Sequence, residues 1–309
     1  MTDEDEAGPS RFWRELADEH EAALGEHGLD TMKRRQALRY FTWQWNRSRL
    51  RGSEQLRFLL RNVRPADLAR AVLQPVNLRD PAWSGPSWSV VDRWLYAVSV
   101  RLLWAYAERA GDPEAVALPE PELGGPFPVQ LRGRLISQDL ANSAIEVDAV
   151  REALAGARPT EILEIGGGYG RFAYVALHLF PEARYTIVDI EPAMTISRWY
   201  LTSLFGPDRV RFVHADDAAD LVDRFDLALS ISSLQEMTTD QVDGYLRLID
   251  RTTTGGTVYL KQWTSWFNQV DDVVMRFEDY PVPDRWVPRY SRPARVQTAF
   301  TEAAWGVPA

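Results

Sequence analysis

Glu161-Ile-Leu-Glu-Ile-Gly-Gly-Gly-Tyr-Gly170 joins a short apolar run to a dense set of glycines, and the helical stretch Arg171 to Phe180 follows at once. A strand, a turn and a helix in that order begin a βα unit. Glycines in such a turn admit positive φ and let backbone N–H groups approach a ligand with no Cβ in the way. Downstream the alternation continues. Tyr185-Thr-Ile-Val-Asp189 reads as a second strand, Ala193 to Phe205 as a helix, and Val210 to Val213 and Leu227 to Ile231 as the third and fourth strands. A helix over Gln241 to Arg251 and a fifth strand over Thr257 to Leu260 complete the series. Strands alternating with helices of this length predict a doubly wound α/β fold, with a mostly parallel, Rossmann-like sheet covered on both faces.

Upstream the pattern changes. Pro113 to Pro128 carries five prolines and the Gly124-Gly125 pair, which predicts an extended connector with a domain boundary near residue 125. From Phe12 to Arg109 apolar residues recur at helical spacing, as in Leu38-Phe41-Trp45 and Val91-Leu95-Val98-Leu102, with a Pro-rich break from Pro75 to Pro86. Met1 to Pro9 is charged and small, the composition of a mobile tail. The expected division is a tail over 1–10, a helical N-terminal region over 11–125 serving as a lid or homodimer interface, and a sheet domain over 126–309.

Composition removes whole classes of function. A net charge of -9 argues against nucleic acid as a partner, because phosphate-tracking proteins carry excess Lys and Arg. No run of about 18 apolar residues could span a bilayer, and the acidic start is unlike a signal peptide, so a cytoplasmic protein with no membrane partner is expected. With no cysteine, thiolate metal sites and cysteine nucleophiles are excluded. The histidines at 20, 27, 178 and 214 form no close metal-binding pair, which leaves only a carboxylate Mg²⁺ site open.

The glycine turn discriminates between cofactors. Counted from Gly166, the last position of a dinucleotide G-x-G-x-x-G fingerprint is Arg171, and the Gly-Lys-Ser/Thr of a phosphate loop is absent. What stands instead is acid-x-Gly-x-Gly-x-Gly headed by Glu164, and this resembles the first motif of class I S-adenosylmethionine-dependent methyltransferases. The resemblance implies that Gly166, Gly168 and Gly170 cradle the methionine part and ribose of that cofactor, with Glu164 beside a sulfonium cation. It also implies that Asp189, at the end of the second strand, accepts the ribose hydroxyls, and that Asp216 or Asp217 meets adenine, with Asp217 the better match. Ser232-Ser-Leu-Gln-Glu-Met237 and Tyr259-Leu-Lys-Gln-Trp263 resemble segments of the sugar O-methyltransferases of bacterial biosynthetic pathways, over residues 128 to 301. The family often reads Asn-Ser-x-Ser-Glu-Met at the first of these, so Ser232 and Gln235 depart from it.

Methylating a hydroxyl needs a base near the transferred methyl. Glu236, just past the fourth strand, is the first candidate and His214 the second; each also has a structural reading, Glu236 as a helix cap and His214 as a hydrogen-bonder beside Asp216. Ser232 belongs to the same rim and is assigned to the cofactor. Lys261 and Gln262 extend the fifth strand toward the rim, where alternation lets one of them reach the acceptor. Trp263 and Trp266 are candidates for a pocket wall, and Asp139 and Asn142 for a flap, although Ser137 or Asp139 could simply cap the helix Leu140 to Leu154. His178 is expected to be structural, and His20 and His27 exposed. The expected function is O-methylation of a sugar or glycosylated small molecule; N- or C-methylation, or a noncatalytic homologue that stabilises a partner, are the alternatives.

Overall fold

The computed structural model describes residues 11–35, 38, 42, 54–83, 88–268 and 272–309. The tail expected over 1–10 and the residues Phe41 and Trp45 lie outside them. Helices α1 (Arg11–His27), α2 (Glu54–Asn62), α3 (Pro65–Leu73), α4 (Val90–Ala110) and α5 (Pro113–Ala117) are followed by the short strands β1 (Gln130–Leu131) and β2 (Arg134–Leu135). Then come α6 (Gln138–Leu154), β3 (Glu161–Ile165), α7 (Arg171–Leu179), β4 (Arg184–Asp189), α8 (Ala193–Phe205), β5 (Val210–His214), β6 (Leu227–Ile231), α9 (Thr239–Thr252) and β7 (Thr257–Trp263). Strands β8 (Ser265–Asn268), β9 (Val273–Arg276), β10 (Val287–Pro293) and β11 (Phe300–Gly306) close the chain.

Two compact units divide these residues. One holds 11–19, 150–268, 272–294 and 298–309; the other holds the described residues of 20–149 together with 295–297. The division therefore falls between Ala149 and Val150, inside α6, and not at the proline-rich connector near residue 125. Prolines weaken helix and sheet, but a unit boundary follows where packing contacts thin out, which local composition does not report.

The sheet unit contains seven strands in the order β10-β11-β7-β6-β3-β4-β5. Strands β3 to β7 are mutually parallel, while β11 runs antiparallel to β7 and β10 antiparallel to β11. The expected doubly wound sheet is present, with an antiparallel edge that the alternation did not announce. Strand order reverses at β3, whose neighbours are β4 and β6. Ligands of open α/β sheets sit outside the carboxyl ends of the strands at such a point. The central strands β3 and β6 are apolar because both faces are covered: Ile162, Leu163 and Ile165 are fully buried, as are Ala228 and Leu229 of β6.

In the helical unit, α4 begins with a capping box between Ser89 and Asp92 and buries a nearly continuous run from Tyr96 to Ala107. Arg101 within that run donates to the carbonyls of Ala71, Gln74, Pro75 and Gln130, so its buried charge is met by backbone dipoles. His20, expected on an exposed helix face, is fully buried. The side chain of His27 lies outside the described residues.

Candidate active site

Four turns at the carboxyl ends of β3, β4, β5 and β6 converge on one cavity of about 460 Å³ within the sheet unit. The turn after β3 carries Gly166, Gly168 and Gly170 at φ of 73°, 58° and 89°, values an L side chain rarely adopts. A Cβ on Gly166 would stand 2.0 Å from Ser233 Oγ, one on Gly170 would strike Leu201 at 2.7 Å, and one on Gly167 would press Ile187 at 2.9 Å. Over Gly168 a Cβ would meet nothing within 4 Å. Packing thus requires three of these glycines, whereas Gly168 faces open space of the kind a ligand fills.

Asp189 locks this turn. Its Oδ2 accepts the Gly168 N–H at 2.9 Å and its Oδ1 the Ile190 N–H at 2.8 Å. The Gly167 N–H acts on the same carboxylate, whose remaining acceptor capacity suits a ligand hydroxyl. Desolvation pushes the Asp189 carboxyl up to about 7 despite those backbone donors. Glu164, also assigned to the cofactor, is 2% exposed and absent from the cavity wall; it accepts the Tyr185 hydroxyl at 2.8 Å. That bond ties β3 to β4 beneath the turn.

Past β4 and β5 the wall contains Ile190, Ala215 and Asp216; Asp216 and Asp217 are both exposed, and Asp217 lies outside the wall. The 3-10 turn Ala215–Asp220 sets Asp216 on the cavity wall, and not the Asp217 that the resemblance favours. His214 caps that turn: its Nδ1 accepts the Asp216 N–H at 3.3 Å, and the ring does not line the cavity. A lone pair used in capping is not available as a base, which weakens the case for His214.

The turn after β6 departs from expectation at one position. Ser233, not Ser232, faces the cavity. Ser232 sits at φ 58°, donates its N–H to Lys261 O at 2.8 Å and accepts Gln235 Nε2 at 3.3 Å. Gln262 is fully buried and spends its amide on this turn, accepting the Ser233 and Leu234 N–H groups at 2.9 and 3.2 Å and donating to Ser230 O and Oγ at 3.0 Å each. It is a brace and not an acceptor ligand. Lys261 points to the opposite face, where its Nζ lies 5.6 Å from the Phe300 ring centroid. Trp263 packs on Phe300 at 4.5 Å and on Trp266 at 5.4 Å, and neither tryptophan belongs to the cavity wall. Asp139 and Asn142 are buried in the helical unit, where Asp139 lines a separate small cavity with Lys33 and Tyr96.

Glu236 is 8% exposed, in a 3-10 turn (Leu234–Glu236) flanked by the cavity residues Ser233 and Met237. Burial pushes its carboxyl up to about 8, and the negative charge of Asp189 pushes the same way. Gln235 Nε2, at 3.3 Å from Glu236 Oε1, and the Trp13 indole N–H both donate to it and pull in the other direction. Trp13 lines the cavity together with Gln241 and Tyr245 of α9. The Tyr245 phenol is raised to about 12 by burial, helped by the charges of Asp189 and Asp216. Sequence reading missed all three, since a helix-face tryptophan and a tyrosine inside an amphipathic helix carry no signature of a site. Among the described residues no group of three His, Asp or Glu could hold a metal ion, and no helix is long and apolar enough to cross a membrane.

Comparison with known proteins agrees with this geometry. Residues 163–258, from β3 into β7, match the model of a methyltransferase domain. None of the curated proteins matches the sequence. Among solved structures, a mitomycin 7-O-methyltransferase is similar at 18% identity and a TM-score of 0.41, over 54% of this chain and 56% of its own. A 1,6-didemethyltoxoflavin-N1-methyltransferase of Burkholderia thailandensis, solved with S-adenosylhomocysteine, is similar at 23% identity and 0.41, over 52% and 76%. The N-methyltransferase NodS of Bradyrhizobium japonicum, also solved with S-adenosylhomocysteine, is similar at 16% and 0.41, over 53% and 85%. With its glycine turn, the acid that closes β4 and the family match over the same residues, this chain carries an S-adenosylmethionine-dependent methyltransferase domain.

Proposed function

We propose that the protein is an O-methyltransferase that acts on a hydroxyl of a sugar, free or attached to a secondary metabolite. The observation that carries this reading is the buried Glu236 carboxyl, raised to about 8, between two residues that line the same cavity as Gly166 and Asp189. A base tuned near the working pH is what abstraction of an alcohol proton calls for. Bound S-adenosylmethionine would supply an electrophilic methyl group, and Glu236 would take up the proton of the acceptor hydroxyl. Asp189 would hold the ribose and the space over Gly168 would admit the methionine part. Trp13 and Tyr245 offer aromatic surface that suits the C–H faces of a pyranose ring.

Calorimetric titration with S-adenosylmethionine, S-adenosylhomocysteine and NAD tests the cofactor part. Binding of the two sulfur compounds alone, lost in Asp189→Ala, is the expected result, and binding of NAD instead would overturn the reading. Turnover of a panel of glycosides, amines and C–H acids with labelled cofactor tests the acceptor part, where methylation of an amine or carbon in preference to any hydroxyl would replace the O-methyl assignment.

A further inference from the structure

One side chain separates the cavity from the candidate base. Ser233 and Met237 line the cavity, and Glu236 between them does not. Trp13 does line it, and its indole N–H is bonded to the Glu236 carboxylate. With its ring on the cavity wall and its N–H on Glu236, the indole stands between the two. A general base has to come within about 2.6–3.2 Å of the atom whose proton it takes. An acceptor held in the cavity therefore meets the indole before the carboxylate.

Trp13 is also the least anchored part of that wall. Every other lining residue falls between Ile165 and Arg251, and that part of the wall shares one apolar cluster with Leu234, Val242, Leu246 and Ile249, all fully buried. Across 11–19 none of the described side chains is buried: Trp13, Leu16 and Ala17 share one helix face and are half-buried, and Asp18 and Glu19 are exposed. Segments with few buried apolar contacts open locally at low cost, and active-site gates are drawn from them. The bond to Glu236 can also be exchanged. Indole N–H and acceptor O–H are both donors, so a hydroxyl can replace the indole on the carboxylate while Gln235 Nε2, 3.3 Å from Glu236 Oε1, stays in place.

We propose that residues 11–19 of α1 gate the base: at rest the Trp13 indole covers Glu236, and an acceptor hydroxyl takes its place on the carboxylate as the segment moves aside. The proposal rests on the reading of Glu236 as the base of an O-methyl transfer. It explains how a carboxylate that is 8% exposed and off the cavity wall serves an acceptor bound within the cavity.

The chain has no cysteine, so an introduced thiol reports on one position of the full-length protein. In Glu236→Cys the thiol should react slowly with a methanethiosulfonate reagent. Adding Trp13→Ala should speed that reaction about tenfold, the equivalent of about 1.4 kcal/mol of cover removed. The exposed position of Asp18→Cys should react equally fast with and without Trp13→Ala, which controls for unfolding. Equal rates at position 236 with and without Trp13→Ala would overturn the gate. Motion is read from nitroxides on Asp18→Cys and Asp240→Cys, both exposed, by pulsed electron resonance on protein saturated with S-adenosylhomocysteine. A methyl hexopyranoside that the protein methylates should lengthen their separation by about 5–10 Å, up to the width of one helix. Methyl transfer with an unmoved separation would overturn the gate and leave the O-methyl reading standing. A covered thiol at position 236 with no transfer to any hydroxyl would instead overturn the O-methyl reading, and the gate with it.

Discussion

At the cofactor end of the cavity, the glycine turn and Asp189 come from one βαβ unit, and much of their geometry is backbone: positive φ angles and an N–H donated to a carboxylate. Elsewhere on the wall, Trp13, Ser233 and Tyr245 come from a helix at the start of the described chain, the turn after β6 that also buries Glu236, and α9, and their chemistry lies wholly in side chains. The first end is a local device that any sequence with the right turn can build. The second depends on segments brought together only by the finished fold, so it is where one methyltransferase can differ from another in what it methylates.

The largest expected effect separates the two ends. Glu236→Gln should lower kcat by about 10²–10⁴-fold, the range for loss of a general base, while S-adenosylhomocysteine affinity stays unchanged. In the wild type, activity should rise with pH and level off above about 8, because only the ionised carboxylate takes a proton. The same shift has a stability consequence. The Glu236 carboxyl is raised from 4.5, so the folded state is favoured most below that value and loses stability as pH rises to about 8; Glu236→Gln should flatten this slope in thermal melts. Full activity in the variant would move the base elsewhere and erase the contrast between the ends.

A mirror-image result is expected from Asp189→Ala, which should weaken S-adenosylhomocysteine binding about 10- to 100-fold, the worth of hydrogen bonds to a charged group. Calorimetry of the wild type should show affinity falling as pH drops below about 7, where Asp189 takes up a proton. Unchanged binding would mean that Asp189 only orders the glycine turn. A smaller effect, on stability more than chemistry, should follow from Gln262→Ala. It strands two N–H groups and a buried serine and should destabilise the unit by about 1–3 kcal/mol in denaturant unfolding.

The contrast also explains what the sequence could disclose. β3, α8 and β6 are found at the residues predicted, since apolar runs bounded by glycine and polar turns are local signals. Strands β10 and β11 were not foreseen, because an antiparallel edge depends on pairing with β7 and not on alternation with helices. The same limit governed the site. The glycines and Asp189 were singled out by the motif they resemble, and the Gly168 N–H joins the two. Whether Ser232 or Ser233, and Asp216 or Asp217, turns inward is decided by one residue of rotation in a tight turn. Gln262 looked like an acceptor ligand because it ends a strand at the rim, yet four hydrogen bonds to the neighbouring turn consume it. Trp13 was grouped with a helical region over 11–125, whereas residues 11–19 belong to the sheet unit.

Trp13 therefore offers the finest test of a wall assembled from distant segments. Its indole N–H donates to Glu236 and so favours the ionised carboxylate, in opposition to burial. Trp13→Phe keeps an aromatic ring in the cavity and removes only the donor. The Glu236 carboxyl should then rise further, carrying the acid limb of the kcat/KM profile to higher pH by about half a pH unit to one pH unit, since about 1 kcal/mol of lost hydrogen bonding corresponds to about 0.7 pH unit. Above that limb, where the base is ionised in both proteins, rates should agree within about twofold. A uniform fall in rate at every pH, with the limb unmoved, would mean that Trp13 shapes the cavity without tuning the base. A moved limb would tie the first described helix to the proton chemistry of a residue more than two hundred positions away in sequence.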